Sequence, residues 1–128
     1  MLESEIKVLK SCESPNIVKL YDMKKTSNNY YLVLEYCNDG DLESYLKKKK
    51  YLVEDEAIGI MVELIHGFHH LYKHNIIHRD LKLANILRHD GVVKIADFGF
   101  SKILGEEGLT NTMLGSPLNM APEVLQNL

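Results

Sequence analysis

Asp80, Lys82, Asn85 and Asp97 are the residues of this chain whose types and spacing could do chemistry together. Asp80, Lys82 and Asn85 lie between two apolar pairs, Ile76-Ile77 and Ile86-Leu87, and Asp97 follows Val93 and Ile95. Between the two groups, His89-Asp90-Gly91 has the composition of a tight turn. The pattern predicts two short β segments joined by a hairpin, with a polar loop at each outer end. One loop carries Asp80, Lys82 and Asn85, and the other carries Asp97. Two carboxylates, an amide and an ammonium on adjacent loops can hold a divalent cation, phosphate oxygens and a hydroxyl nucleophile at once. Taken singly, each residue has a plainer role: an aspartate caps a turn and an asparagine satisfies local backbone.

The elements that must position these loops are readable from periodicity. Residues 2–9 have helical composition, with Leu2, Ile6 and Leu9 on one face. Residues 17–21 and 30–36 read as strands, the second rich in aromatic and β-branched side chains. The polar turn 24–29 between them predicts an antiparallel hairpin. Asp41 can cap a helix over residues 42–48. The run Lys47-Lys48-Lys49-Lys50 is read as a solvated helix end beside the negative dipole terminus, rather than as a patch for RNA or lipid. Residues 54–74 form the longest helical pattern, with Ile58, Met61, Leu64, Ile65, Phe68, Leu71 and Tyr72 at spacings of three and four. This predicts a central buried helix, which Gly59 and Gly67 weaken or allow to pack closely. His66, His70 and His74 recur four apart on it, with His69 beside them, a spacing open to zinc. No cysteine partners them and no glutamate stands in the metalloprotease arrangement, so they read as a polar helix face.

The chain has 128 residues, a formal charge of −3 and a pI near 6.0, which gives no global case for a nucleic-acid partner. Cys12 and Cys37 stand far apart with no paired-cysteine motif and read as reduced thiols of an intracellular protein, with the cytoplasm the expected compartment. No apolar run approaches the ~18 residues of a spanning helix. The opening Met1-Leu2-Glu3-Ser4-Glu5 matches neither a signal nor a transit peptide.

The stretch His78-Arg79-Asp80-Leu81-Lys82 through Asn85, followed by Asp97-Phe98-Gly99 and then Ala121-Pro122-Glu123, resembles the catalytic core of protein kinases. Three motifs in the right order are far more specific than a lone Asp-Phe-Gly. The resemblance implies ATP and Mg²⁺ as cofactors and a protein Ser/Thr hydroxyl as acceptor. Asp80 would accept the hydroxyl proton, Lys82 would steady the transferred phosphoryl group, and Asn85 with Asp97 would hold the metal. Mg²⁺ prefers oxygen ligands and keeps several waters, so few protein ligands suffice. Leu34 resembles the residue at the deep end of the nucleotide pocket, and Glu35, Tyr36 and Cys37 resemble the hinge that hydrogen-bonds adenine. Leu87 is implied as a further nucleotide contact. Glu5 resembles the glutamate that pairs with the ATP-binding lysine, although on its own it reads as a solvated helix carboxylate. His78 resembles a spine residue packed with Leu9, Leu20 and Phe98. In the segment after Phe100, Thr110 and Thr112 are candidate phosphorylation sites. Thr112 is the preferred one, with the cation of Arg79 available to receive it. Ser116 is expected to contact Asp80 and Lys82.

Lys82 and Gly115-Ser116-Pro117 point to serine/threonine specificity. Together with Glu35-Tyr36-Cys37-Asn38 and Asp97-Phe98-Gly99-Phe100, the run from Gly115 to Glu123 most resembles the autophagy-initiating kinases. Leu83 stands where proline is usual, Asn119 where tyrosine is common, and Ser14 where histidine is common. The expected fold class is α+β, a two-lobed kinase-like fold truncated at both ends. Residues 1–36 would be a remnant of the upper lobe, and residues 37–128 would carry the hinge, catalytic loop and activation segment. The chain has no Gly-rich loop and no strand bearing the ATP-contacting lysine, so it is expected to be inactive alone and to expose apolar surface at its edges. The alternative function is a non-catalytic kinase-like module that binds partners. A nucleotide-binding protein of another fold is disfavoured by the absence of a Gly-x-x-x-x-Gly-Lys loop.

Overall fold

A computed structural model describes residues 2–103 and 115–126, with the side chains of residues 2–5 outside the description. Helix α1 (Leu2–Ser11) packs through Ile6, Val8 and Leu9, all buried, and Cys12 just beyond it is buried too. Val8 falls off the face expected from spacing alone, yet it is fully buried in the core cluster. Strands β1 (Leu20–Lys25) and β2 (Tyr30–Leu34) form the antiparallel hairpin, from Leu20 opposite Leu34 to Lys25 opposite Tyr30, with a bulge near Leu20. The turn is closed by the Thr26 N–H donating to the Asn29 carbonyl at 2.8 Å.

The first strand begins later than residue 17, where the sequence placed it. Ile17 instead makes a parallel bridge to Ile95. The Val18 N–H donates to the Ile95 carbonyl at 3.0 Å, and the Ile95 N–H donates to the Asn16 carbonyl at 2.9 Å. Ile17 and Val18 are almost wholly buried, so the hairpin of residues 86–95 recruits the two residues that otherwise read as a strand start.

Helix α2 (Leu42–Lys49) is capped by Asp41, whose carboxylate accepts from the Ser44 N–H and the Ser44 hydroxyl, both at 2.7 Å. It closes at Lys50, with φ 74°. Helix α3 (Glu54–Lys73) carries Glu54, Asp55 and Glu56 in its first turn, where the helix dipole favours anions. Its buried line is Leu64, Gly67 and Leu71, with Phe68 partly buried beside them. Ile58, Met61, Ile65 and Tyr72 are exposed, so α3 is not buried all round as its pattern suggested. Its apolar stripe is wider than the strands it packs on. Contact is also very close: a Cβ on Gly67 would come within 2.8 Å of Ile95 Cδ1 and 3.0 Å of the Asn16 carbonyl.

Strand β3 (Ile76–Ile77) pairs antiparallel with β6 (Lys102–Ile103), while β4 (Ile86–His89) and β5 (Val92–Ile95) form the central hairpin in register Ile86 to Ile95. A short helix α4 (Pro122–Leu125) closes the described chain. The fold thus mixes helices with three two-stranded sheets. Its most buried large side chains, Phe98, Ile17, Leu71, Ile95, Val8 and Val93, surround β5. No helix among the described residues is long and apolar enough to cross a membrane.

Candidate active site

The β4–β5 hairpin delivers one polar loop to each of its outer ends, and a single backbone bond ties the two loops together. The Ala96 N–H donates to the Asn85 carbonyl at 2.9 Å, which places Asp97 one residue beyond the partner of Asn85. Both loops contain non-glycine residues in the left-handed region, Arg79 at φ 67° and Asp97 at φ 60°. Such backbone costs on the order of 1–2 kcal/mol per residue and persists only where surroundings impose it. At Arg79 the surroundings are visible. Its Nε donates to the Phe100 carbonyl at 2.5 Å, and Gly115 lies so close that a Cβ there would sit 2.3 Å from the Arg79 carbonyl oxygen. Gly115, itself at φ 120°, is therefore fixed as glycine, and it brings the next residue, Ser116, onto the catalytic loop.

Asp80 is buried, with 3% of its surface exposed, and its carboxylate is fully engaged. Oδ1 accepts from the Ser116 hydroxyl at 2.7 Å. Oδ2 accepts from Lys82 Nζ at 2.9 Å and from Asn85 Nδ2 at 3.1 Å. Lys82 Nζ also donates to the Ser116 hydroxyl at 3.1 Å, closing a triangle. Burial alone pushes the Asp80 carboxyl up, but hydrogen bonds from Lys82 and Ser116, with the Lys82 charge, outweigh it and hold the group below the usual carboxylate range. The same contact raises Lys82 above an ordinary lysine, so the pair is ionic at neutral pH.

His78 is held differently. Its Nε2–H donates to the Ala96 carbonyl at 2.9 Å, its Nδ1 accepts from the Asp80 N–H at 3.3 Å, and its ring meets Phe98 edge-on at 5.0 Å between centroids. Both nitrogens are committed in the neutral tautomer, and burial lowers the pKa. Folded His78 binds a proton less readily than an unfolded histidine. The stability it contributes is fully present above the ordinary imidazole range near ~6.5 and is lost as pH falls through the lower folded value. The partly buried His70 shifts the same way, through desolvation and the neighbouring His74. Urea unfolding should show a lower midpoint at about pH 5.5 than at about pH 7.5, a window in which ordinary carboxylates stay ionised. Equal midpoints would contradict a neutral, doubly bonded His78.

Asp97 presents an exposed carboxylate that, among the described residues, accepts only from the Gly99 N–H at 3.3 Å. It lines a cavity of about 280 Å³ with Leu9, Val18, Leu34, Glu35 and Leu87. Four of the residues named from sequence as nucleotide contacts, Leu34, Glu35, Leu87 and Asp97, therefore meet in one cavity. Tyr36, 80% exposed, and Cys37 lie outside its lining. Among the described residues the Glu35 carbonyl and the Cys37 N–H make no hydrogen bond, which leaves both open to a ligand. The donor set also suits a hard divalent cation. Both side-chain bonds of Asn85 are made by Nδ2, to the carbonyl and carboxylate of Asp80, so among the described residues its amide oxygen has no hydrogen-bond partner.

Other expected residues fall elsewhere. The Glu5 side chain, Thr110 and Thr112 lie outside the described residues. His70 and His74 stack at 4.4 Å, and no group of three His, Cys, Asp or Glu side chains among the described residues is placed to hold a metal. Two contributors were not legible in the sequence. Lys94, only 8% exposed, donates to the Pro15 carbonyl at 2.8 Å and pairs with Glu35 at 2.9 Å, tying the residues before β1 and after β2 to β5. Burial pushes Glu35 up, but Lys94 and the Lys19 N–H outweigh it and lower its pKa. Gly115 is the other; its position beside Ser116 was the only available signal.

A cavity lined by Leu34, Glu35, Leu87 and Asp97, and an ionised Asp80 bound to Lys82, thus stand on the two loops of one hairpin, an arrangement that the protein kinase family shares. The chain belongs to that family: the protein kinase domain profile matches residues 1–128. It is 46% identical to serine/threonine-protein kinase ATG1c of Arabidopsis thaliana over 98% of the chain, which is 18% of that relative. It is 42% identical to serine/threonine-protein kinase ULK1 of Homo sapiens over 99% of the chain and 13% of the relative. For serine/threonine-protein kinase unc-51 of Caenorhabditis elegans the figures are 39%, 100% and 17%. The chain thus spans less than a fifth of the length of these relatives.

Proposed function

We propose that these residues are the core of a serine/threonine protein kinase that transfers the γ-phosphoryl group of ATP to Ser/Thr hydroxyls of protein substrates. The observation that carries this reading is the ionised Asp80, held by Lys82 and Ser116 beside a cavity that ends in Asp97. Phosphoryl transfer depends on positioning and charge neutralisation more than on covalent chemistry. Asp80 would orient the acceptor hydroxyl and take its proton. Lys82 would lie against the transferring phosphoryl oxygens. The Asn85 amide oxygen and the Asp97 carboxylate would hold Mg²⁺, which neutralises phosphate charge when bound. Leu34 would close the deep end of the base pocket, Leu87 would contact the base, and the Glu35 carbonyl with the Cys37 N–H would fix its edge. Thr112 would act as the activating phosphorylation site read by Arg79, and Glu5 would engage the lysine of an added strand. The kinship with serine/threonine-protein kinases ATG1c and ULK1 supports serine/threonine specificity, and the resemblance of residues 115–123 to the autophagy-initiating kinases is the ground for assigning the whole protein that role, in the cytoplasm.

The 128 residues alone contain no Gly-rich loop and no ATP-contacting lysine strand, so the isolated chain should neither turn over ATP nor gain thermal stability from Mg·ATP. The test is a chimera in which these residues replace the matching segment of the Arabidopsis relative. Phosphorylation of a Ser/Thr-containing protein, and none of a tyrosine peptide, is expected. A folded chimera without turnover would sink the catalytic reading and favour the alternative, a non-catalytic module that binds partners.

A further inference from the structure

The segment that follows the nucleotide-facing residues 35–37 is stitched to the turn of the catalytic hairpin. Asn38 Nδ2 donates to Asp90 Oδ1 at 2.7 Å, and the Asp90 N–H donates back to Asn38 Oδ1 at 3.1 Å. The Gly91 N–H donates to the Asp39 carboxylate at 2.9 Å. Main chain continues the seam: Asp39 N–H to the Arg88 carbonyl at 3.1 Å, Arg88 N–H to the Gly40 carbonyl at 2.9 Å, and a bridge from Asp41 to Leu87. Residues 39–41 therefore run beside β4, joined to it by an isolated bridge. Leu87, in the middle of that seam, lines the cavity that Leu34 and Glu35 line from the other side.

We propose that the reciprocal Asn38–Asp90 pair is a nucleotide-positioning latch, fixing the spacing between residues 35–37 and Leu87. This rests on the kinase reading above. Asn38 and Asp90 touch no atom of the Asp80–Lys82–Ser116 triangle, so the latch acts on nucleotide binding and leaves phosphoryl transfer alone. Asp90 sits at φ 49°, a conformation that aspartate and asparagine tolerate and that presents its N–H to Asn38. The geometry also permits an exchange. With Asp at 38 and Asn at 90, the carboxylate accepts from both the backbone N–H and the side-chain amide of residue 90. With Asp at 38 alone, two carboxylates face each other.

The test uses steady-state kinetics of the chimera and amide exchange of the 128-residue chain. Asn38→Asp should raise the KM for ATP about five- to tenfold, the size expected from losing the amide-to-carboxylate hydrogen bond and setting two carboxylates against each other, with kcat within about twofold. It should also speed exchange at the Asp39 and Arg88 amides. The double variant Asn38→Asp/Asp90→Asn should restore both readouts, which a merely misfolded protein would not do. An unchanged KM in Asn38→Asp, an equal fall in kcat, or no rescue by the exchange overturns the latch. A parent chimera without turnover overturns the kinase reading instead, and the nucleotide role falls with it.

Discussion

Asp97→Ala should abolish Mg·ATP turnover in the chimera, lowering kcat by about a thousandfold or more. Metal-assisted charge stabilisation is worth several kcal/mol, and each ~1.4 kcal/mol is a factor of ten. The loss should come from chemistry and not from unfolding. The Asp97 side chain is exposed and makes one long bond, to the Gly99 N–H at 3.3 Å, while the adjacent Phe98 anchors the segment in the core at 1% exposure. Alanine pays a backbone penalty at φ 60°, so Asp97→Asn is the cleaner companion. Asparagine accepts the left-handed conformation and keeps one oxygen but no charge. Its activity should fall between wild type and alanine, and higher Mg²⁺ should recover part of it. Wild-type rates in Asp97→Ala, with a circular dichroism spectrum unchanged, would remove Asp97 from the metal site.

What could be read from sequence followed from how local each signal is. The cap at Asp41, the turn at His89-Asp90-Gly91 and the helix of residues 54–73 depend on near neighbours, and each formed where expected. Ile17 and Val18 misled because the run Ile17-Val18-Lys19-Leu20-Tyr21 has the composition of a strand, while their partner, Ile95, lies far along the chain. Ile58, Met61, Ile65 and Tyr72 misled because periodicity reports the width of an apolar stripe and not how much of it a partner covers. In the site, Asp80, Lys82, Asn85 and Asp97 were recognisable by type and order. The groups that set their geometry were not. Lys94 reads as a solvated strand lysine until the Pro15 carbonyl and Glu35 close around it. Gly115 reads as part of the Gly115-Ser116-Pro117 run, and only its contact with the Arg79 carbonyl shows why nothing larger fits. The seam from Asn38 to Gly91 joins segments whose relation exists only once the hairpin and α2 are in place.

Asp80→Asn should reduce kcat by roughly 10²–10⁴, the range for losing a general base, with little change in the KM for ATP. The side chain keeps its size, and its oxygen can still accept from Lys82 and Asn85 while its new amide donates to the Ser116 hydroxyl. The triangle therefore survives without a proton acceptor. The split between kcat and KM follows from place, because Asp80 is not among the residues that line the Leu34–Leu87 cavity. The pH profile adds a second constraint. Lys82 and Ser116 hold the Asp80 carboxyl below the usual carboxylate range, so kcat/KM of the parent should show no acid limb from Asp80 at neutral or mildly acidic pH. Removing the cation with Lys82→Met should let burial push that carboxyl upward, so an acid limb should move toward neutrality. Steady-state rates of parent, Asp80→Asn and Lys82→Met across pH, with a threonine-containing peptide, separate the roles. Near-normal kcat in Asp80→Asn would mean that Asp80 only braces Lys82 and Ser116, and that the proton leaves the hydroxyl without it.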